Sequence, residues 1–465
     1  MAERTLPPPL RDAVEQLGPA QIMVGIPSHR NAATIGHVVR AAQAGLVQYF
    51  PELRPVVVNA DAGSGDGTGQ VVVETEPPDY LERILLVQPR THLGRVSLAY
   101  PPVDGVSGKG AALRTILQMA EACEVEALVI VDSDLRSIGP EWIELLAGPI
   151  LKGGFDLVTP RYARHKWDGM VASLLAYPLL RALFGLRIRQ PVAGDIAIGA
   201  DLIRHLLEQR DWTPEVSGFG IDAWITTTAV SGGYAVCETR LGAKIHDQAD
   251  PADGGRLVAD VTGELLRLAG THAHRWTQVS TSHEVPIYGF ERYADPPLVP
   301  VDVPRLLDDL VRGCVKAGAT WNRIFDAATL RELEQLVDDA EADEVPVFPD
   351  ELWVRTVTAA LVAAGPGGVP VPEVTAALVP LIRGRAAAFV EETRDLDADR
   401  AELVVERVAK AFEAAKPALV AAWHAAEAAA VGATPHGVEA DVVEAAPGPA
   451  TPRGAAARRR KATHR

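Results

Sequence analysis

Short, uninterrupted apolar runs alternate with helix-patterned stretches through the first half of the chain. Ile22–Ile26 ends at Pro27 and predicts a buried strand. Thr34–Val47 carries helical spacing, and Pro55–Ala60 is a second strand that runs into the turn-rich Asp61–Gly69. Further strands are predicted at Ile84–Val87, Ala127–Val131, Phe155–Thr159 and Tyr234–Ile245, with a helix over Gly110–Ala122. The run Val171–Leu186 is shorter than a spanning helix and contains Arg181, which predicts a core or interfacial helix. Continuous apolar strands separated by helices imply an α/β fold, with a mostly parallel sheet covered on both faces. Ligands of such sheets bind beyond the carboxyl ends of the strands. The polar segments Pro27–Asn31, Asp61–Thr68 and Asp132–Asp134 follow such ends.

The texture changes near residue 290. Leu306, Leu307, Leu310, Val311 and Cys314 recur at helical spacing, as do Trp353, Val357 and Leu361, then Leu403, Val404, Val408 and Phe412. The break Gly365–Pro372 punctuates them. The organisation expected is a loose N-terminal arm (1–20), a catalytic domain (21–290), an α-helical C-terminal appendage (291–430) and a disordered tail rich in Ala, Pro, Gly and charge (431–465).

Composition narrows the function. The 465 residues are 48% hydrophobic and 23% charged, enough to bury a sizeable core. A formal net charge of −16 argues against non-specific binding of nucleic acid or anionic membrane. Cys123, Cys237 and Cys314 form no CxxC and no framework, as expected of idle thiols in a reducing compartment. With no apolar signal core and no spanning segment, a cytoplasmic location is expected.

The central chemical signal is Asp132-Ser133-Asp134. Two carboxylates at i and i+2 leaving a buried strand can reach one divalent cation and the diphosphate of a sugar nucleotide; hard oxygen ligands suit Mg2+ or Mn2+. Asp61, followed by Gly63, Ser64, Gly65 and Asp66, offers a tight turn with exposed N–H groups, or only a capped turn. Lys109 precedes a predicted helix and is either a phosphate contact or a surface lysine, without the spacing of a P-loop. His246, after the last strand, is a candidate third ligand. Asp222 and Asp195 are candidates for sugar or acceptor contacts and equally for helix caps. Arg161, Arg164, His165 and Lys166 form the densest basic cluster of this half and would suit an anionic acceptor, a solvated loop being the alternative.

The ordered set IPSHRNAATI, NADAGSGDGT, SGKGAAL, VIVDSDL, PLL…QPVAGDIAIG, GFGIDAW and LGAKIHD spans residues 22–247. It resembles the retaining GT-A glycosyltransferases that make glucosyl-3-phosphoglycerate, mannosylglycerate and glucosylglycerate. The resemblance implies a GT-A, Rossmann-like domain taking a hexose from a UDP- or GDP-linked donor to a small acidic acceptor. It implies metal ligation by Asp134 and His246, with Asp132 and Ser133 on the ribose and phosphates. Pro27, Asn31, Asp61, Ser64 and Lys109 would line the base and diphosphate, and Asp222 would sit at the sugar and acceptor. Two departures stand out. Asn31 replaces an acidic residue common in the group, though an amide can still pair with a uracil edge. Met170 and Ala172 stand where the phosphoglycerate enzymes place an Arg and a Thr on the acceptor phosphate, which makes free glycerate or another small hydroxy acid competitive. The appendage exceeds the minimal enzyme and is expected to serve dimerisation or lid closure, so a homodimer is anticipated. The competing enzyme readings are a transferase acting on a polyprenyl phosphate or polysaccharide and a sugar nucleotidyltransferase. The first would be expected to carry membrane segments and the second a Gly-rich basic signature, and the chain lacks both.

Overall fold

A computed structural model of the chain describes residues 6–76, 93–100, 108–247, 251–291, 296–342 and 344–432; for 251–253 and 432 only the backbone is described. The strand expected at Ile84–Val87 and nearly all of the expected 431–465 tail lie outside these residues.

Eight strands form one sheet in the order β10-β8-β5-β7-β4-β1-β2-β3. They are β1 (Ile22–Ser28), β2 (Pro55–Asp61), β3 (Gly94–Ala99), β4 (Ala127–Ile130), β5 (Leu157–Ala163), β7 (Ile196–Gly199), β8 (Val236–Ala243) and β10 (Ile287–Tyr288); β6 (Leu186–Arg187) and β9 (His283–Glu284) pair separately. All pairings in the large sheet are parallel except those of β7, which runs antiparallel to β4 and β5.

The unbroken apolar strands follow from burial on two sides. Ile22, Val24, Ile26 and Val57 pack with Val38, Leu46, Trp142 and Leu146 in one core. Those last four belong to helices α2 (Ile35–Tyr49) and α5 (Pro140–Gly153). Met23, Val56 and Val58 point the opposite way, into a second core with Leu113, Ile116 and Leu117. These lie on α4 (Lys109–Ala122); α3 (Thr68–Glu74) precedes it. Period-two alternation of side chains thus divides each strand between two covered faces.

The N-terminal segment differs from the loose arm expected. Pro8–Leu17 forms helix α1, whose Leu10 and Ala13 are buried in the second core. The start on Pro-rich sequence hid it: Pro8 and Pro9 occupy the first turn, where their missing N–H costs no hydrogen bond. The Val171–Leu186 run is a core element, with a π-turn at Ala172–Ala176 leading into α6 (Tyr177–Phe184).

Helices α7 (Ala200–Glu208), α8 (Pro214–Ser217), α9 (Ile221–Gly232), α10 (Pro251–Thr271) and α11 (Ala273–Trp276) come next in chain order, interleaved with the last strands. Helices α12 (Val303–Ile324), α13 (Ala327–Glu341), α14 (Asp350–Ala364), α15 (Val371–Thr393) and α16 (Ala398–Gly432) follow. Their apolar faces join the second core, with Trp353 donating its indole N–H to the carbonyl of Leu174 at 2.9 Å. The three cysteines are free and buried, as the sequence suggested. No helix among the described residues is long and apolar enough to cross a membrane.

Candidate active site

The site forms where β1, β2 and β4 end side by side. Parallel register sets Ser28 opposite Asp61, so the loops after β1 and β2 leave the sheet together. Asp61 accepts from the Ser28 hydroxyl (3.0 Å), the Ser64 N–H (2.7 Å) and the Ser64 hydroxyl (2.7 Å). Ser64 in turn accepts the N–H of Arg30 at 2.8 Å. Arg30 has a φ of 56°, the left-handed region that a non-glycine residue seldom holds without purpose. Asn31 accepts from the Ser133 hydroxyl at 2.8 Å, and the Thr34 hydroxyl donates to the Ser133 carbonyl at 2.9 Å. Asn31, Asp61, Ser64 and Ser133 are therefore one knitted rim, whereas Pro27 lies inside β1 and takes no part in these hydrogen bonds.

The two carboxylates of Asp132-Ser133-Asp134 have different surroundings. Asp132 lies 3.0 Å from Lys109 Nζ and 2.7 Å from Lys244 Nζ, and its own N–H donates to Asp195 at 2.8 Å. Burial pushes the Asp132 carboxyl up, but the two lysines outweigh it and hold the group well below the ordinary range. Asp134 has no lysine or arginine within ion-pair distance among the described residues; its neighbour is His246, with Nδ1 at 3.8 Å. Burial and the charge of Asp132 raise the Asp134 carboxyl. Backbone pairing fixes this approach. Leu135 and His246 form an antiparallel bridge, the Arg136 N–H donates to the Ile245 carbonyl (2.8 Å), and the Ile245 N–H donates to Ser137 Oγ (2.9 Å).

Lys109 lies between Asp132 and Asp222, 3.1 Å from the latter. Burial would lower its ammonium, yet the two carboxylates raise it. It is not the exposed surface lysine that the sequence left open: its side chain is largely buried and holds two carboxylates. Asp222 is buried, and its Oδ1 has no hydrogen-bond partner. Burial raises its carboxyl to about 6 despite Lys109. That bare oxygen can accept a substrate hydroxyl.

Asp195 is not placed to touch a substrate. It is fully buried, accepting from the Asp132 N–H, from Lys244 Nζ at 2.8 Å and from the Tyr162 hydroxyl. Its role is to hold Asp132 and Lys244. The neighbouring Gly194 is a packing requirement, since a Cβ there would lie 2.0 Å from the Asp132 carboxylate.

The basic cluster separates in the same way. Lys166 Nζ donates to the carbonyls of Thr393 (2.6 Å), Arg394 (2.9 Å) and Leu396 (2.6 Å), just where α15 ends. All three of its protons are used on helix-end carbonyls, a favourable place for a cation. It is thereby removed from the acceptor set. Arg161 pairs with the buried Glu238 at 3.2 Å. Arg164 stacks on the Tyr162 ring at 4.9 Å, pairs with Asp168 at 3.6 Å, and keeps a buried, unpartnered Nε. Arg161, which uses one N–H on Glu238 and is the more exposed of the two arginines, keeps its remaining guanidinium donors.

Two charged neighbours were not singled out from sequence. Lys244 stands two residues before His246, and strand alternation offered a signal for it. Asp168, whose Oδ2 lies 3.8 Å from His246 Nε2, belongs to no motif and had none. Among the described residues Asp132, Asp134, Asp168, Asp195 and Asp222 face only Lys109, Lys244 and Arg164 as fixed cations, an excess of carboxylate that a divalent cation would balance. Asp134 and His246 suit that ion: one hard oxygen and one imidazole, face to face, with the oxygen unclaimed by any base.

Residues 87–248 match the family described as mannosylglycerate synthase, GT domain. Among solved structures, Mycobacterium tuberculosis glucosyl-3-phosphoglycerate synthase with Mn2+, UDP and phosphoglyceric acid is 25% identical, at a TM-score of 0.42, over 56% of this chain and 81% of that one. The same enzyme with Mn2+, UDP-glucose and glycerol 3-phosphate is 24% identical, at 0.40, over 58% and 87%. Its complex with Mg2+ and UDP gives 24% and 0.40, over 56% and 82%. No curated protein matches the chain. The part of the chain that is similar to the glycosyltransferase domain of mannosylglycerate synthase, residues 87–248, contains Lys109, Asp132, Asp134, Asp222 and His246.

Proposed function

We propose that this protein is a retaining, divalent-metal-dependent hexosyltransferase that uses a nucleoside-diphosphate sugar and a small hydroxy acid of the glycerate class as acceptor. The observation that carries the reading is the unequal treatment of the two DxD carboxylates: Asp132 is neutralised by two lysines, whereas Asp134 faces His246 with no base beside it. Asp134 and His246 would hold Mg2+ or Mn2+, which when bound neutralises the charge of the leaving diphosphate.

The chain's own groups do the rest. The rim of Asn31, Asp61, Ser64 and Ser133 would receive the nucleotide, and the left-handed Arg30 keeps its backbone turned toward Ser64. Lys109 and Lys244 fix Asp132, and Asp222 Oδ1 accepts a hydroxyl of the sugar or acceptor. In a front-face transfer the bond from the anomeric carbon to the diphosphate breaks as the bond to the acceptor oxygen forms. The acceptor proton passes to the leaving phosphate oxygen. Catalysis is then positioning and electrostatic stabilisation.

The basic cluster favours an acceptor with a single anionic group. Lys166 is spent on helix-end carbonyls, and Arg161 and Arg164 each already pair with one carboxylate, Glu238 and Asp168. Little positive charge is left for a phosphate as well as a carboxylate. Met170 and Ala172 stand where the phosphoglycerate enzymes place an Arg and a Thr, so free glycerate is favoured over its 3-phosphate.

The test is a transfer screen with Mn2+ or Mg2+, offering UDP- and GDP-linked glucose and mannose against D-glycerate and 3-phosphoglycerate, with nucleotide release as readout. Release that depends on D-glycerate is expected. Preference for 3-phosphoglycerate would refute the single-anion reading, and release indifferent to both acceptors would place the true acceptor outside this class.

A further inference from the structure

The His246 ring lies between two carboxylates. Its Nδ1 is 3.8 Å from Asp134 Oδ2, and its Nε2 is 3.8 Å from Asp168 Oδ2. A neutral imidazole has one lone pair and one N–H on its two nitrogens. Ligation through one nitrogen needs the proton on the other, and an acceptor there to keep it. Nδ1 is also 2.8 Å from the Asp247 carbonyl oxygen, an acceptor that favours the unsuitable tautomer, with the proton on Nδ1. With a cation on Asp134, Asp168 is the carboxylate left to accept from the ring, and it faces Nε2.

Asp168 is held from both sides. Its N–H donates to the His165 carbonyl at 2.8 Å, closing a turn, and Arg164 lies 3.6 Å from the same Oδ2 that faces His246. The turn is pinned to the helical half by Lys166, through its three carbonyl contacts, and by Trp167, whose Nε1 donates to Thr393 Oγ1 at 2.9 Å. The end of α15 therefore sets where the turn sits, and the turn sets where Asp168 points.

We propose that Asp168 is a positioning residue of the metal site: it keeps the His246 proton on Nε2 and so leaves Nδ1 to share a divalent cation with Asp134, in a turn whose placement depends on the end of α15. This rests on the metal dependence proposed above. The carboxylate acts through the ring and does not touch substrate.

Mn2+ alone, titrated into the full-length protein without donor or acceptor and followed by the spectrum of free Mn2+, tests it. Asp168→Ala should weaken Mn2+ binding by about 10- to 100-fold, the usual cost of losing a partner of a metal-bound histidine. Asp168→Glu should recover most of the loss. Imidazole 15N shifts of the protein loaded with diamagnetic Mg2+ should place the His246 proton on Nε2 in the parent, and Asp168→Ala should lose that preference. Thermal unfolding and circular dichroism unchanged from the parent would exclude a general loss of fold. Unaltered Mn2+ affinity in Asp168→Ala, or a Mg2+-loaded parent ring protonated on Nδ1, overturns the proposal. Thr393→Val should weaken binding less than Asp168→Ala; no change there overturns the link to α15. A parent that binds no Mn2+ overturns the metal reading itself and this proposal with it, an outcome distinct from a parent that binds as well without Asp168.

Discussion

Lys244 is the residue on which the charge balance of the site turns. It is almost fully buried, and its ammonium is shared by Asp132 and Asp195. Burial lowers its proton affinity, yet the two carboxylates raise it above the ordinary value. Lys244→Met would leave the buried Asp195 and the half-buried Asp132 with too little compensation, and breaking a buried pair costs about 3–5 kcal/mol. Chemical denaturation should show a loss of that size, together with loss of transfer. Asp222 makes a different prediction. Its carboxyl sits at about 6, above the usual range, so the protonated form persists to higher pH than in an exposed aspartate. If the ionised oxygen is the working form, kcat/KM should fall as pH drops through about 6, and Asp222→Asn should lose activity and flatten that limb. A parent profile level from pH 5 to 8 would remove Asp222 from the reaction. At this scale much of the rim was legible, because Asn31, Asp61, Ser64 and Ser133 stand at or just beyond the ends of apolar strands. The states of Lys109 and Asp195 were not, because partners far along the chain set them.

At the scale of elements, two glycine positions decide how closely the pieces meet. A Cβ on Gly110 would lie 1.7 Å from the Val216 carbonyl oxygen. The start of α4 is thus pressed against α8, and the Gly110 N–H donates to the Gly218 carbonyl at 3.0 Å. This contact places Lys109 over Asp222. Gly194 likewise admits the Asp132 carboxylate. Gly194→Ala should therefore displace Asp132 and cut the transfer rate at least tenfold, at a stability cost of about 1–3 kcal/mol typical of overpacking. Normal kinetics in that variant would mean that the Asp132 position is not critical. The antiparallel β7 inserted between β4 and β5 went unrecognised in the sequence: Ile196–Gly199 is four residues long, and periodicity cannot assign so short an apolar run. Its consequence is functional, since the segment leading into it delivers Gly194 and Asp195 beneath Asp132.

At the scale of the molecule, the helical half grips the sheet half through ion pairs. Arg181, almost fully buried, pairs with Glu406 at 2.7 Å and Glu413 at 2.9 Å on α16. Arg189 pairs with Glu402 at 2.5 Å on the same helix, and its N–H donates to Glu238 at 2.8 Å. Glu238 in turn holds Arg161, so this contact line runs to the edge of the site. Arg181→Met should destabilise the fold by about 3 kcal/mol, the carboxylates being partly exposed and the arginine buried. Glu264 adds a pH dependence. Burial raises its carboxyl from 4.5 to about 7, against the pull of Arg267. The folded state therefore holds this proton more tightly than the unfolded chain does. That contribution is complete below pH 4.5 and is lost as pH rises to 7, a difference on the order of 3 kcal/mol. Unfolding free energies of the parent and of Glu264→Gln should diverge across pH 5–8, with the parent losing the more. Parallel curves would show that Glu264 keeps an ordinary carboxyl.

The sequence by itself determined the local chemistry and its order: apolar runs long enough to be buried strands, polar loops at their ends, the DxD triplet, and amphipathic helices in the C-terminal half. These depend on neighbours along the chain, and periodicity records them. Only the tertiary structure decided how charge is shared. It joined Lys109 and Lys244 to Asp132 and left Asp134 to His246. It also spent Lys166 on the end of α15 and brought Asp168 to the far side of the imidazole. Each of these pairings closes across tens to hundreds of residues. The worth of a buried charge is fixed by the partner and the solvent it meets there, and a linear pattern records neither.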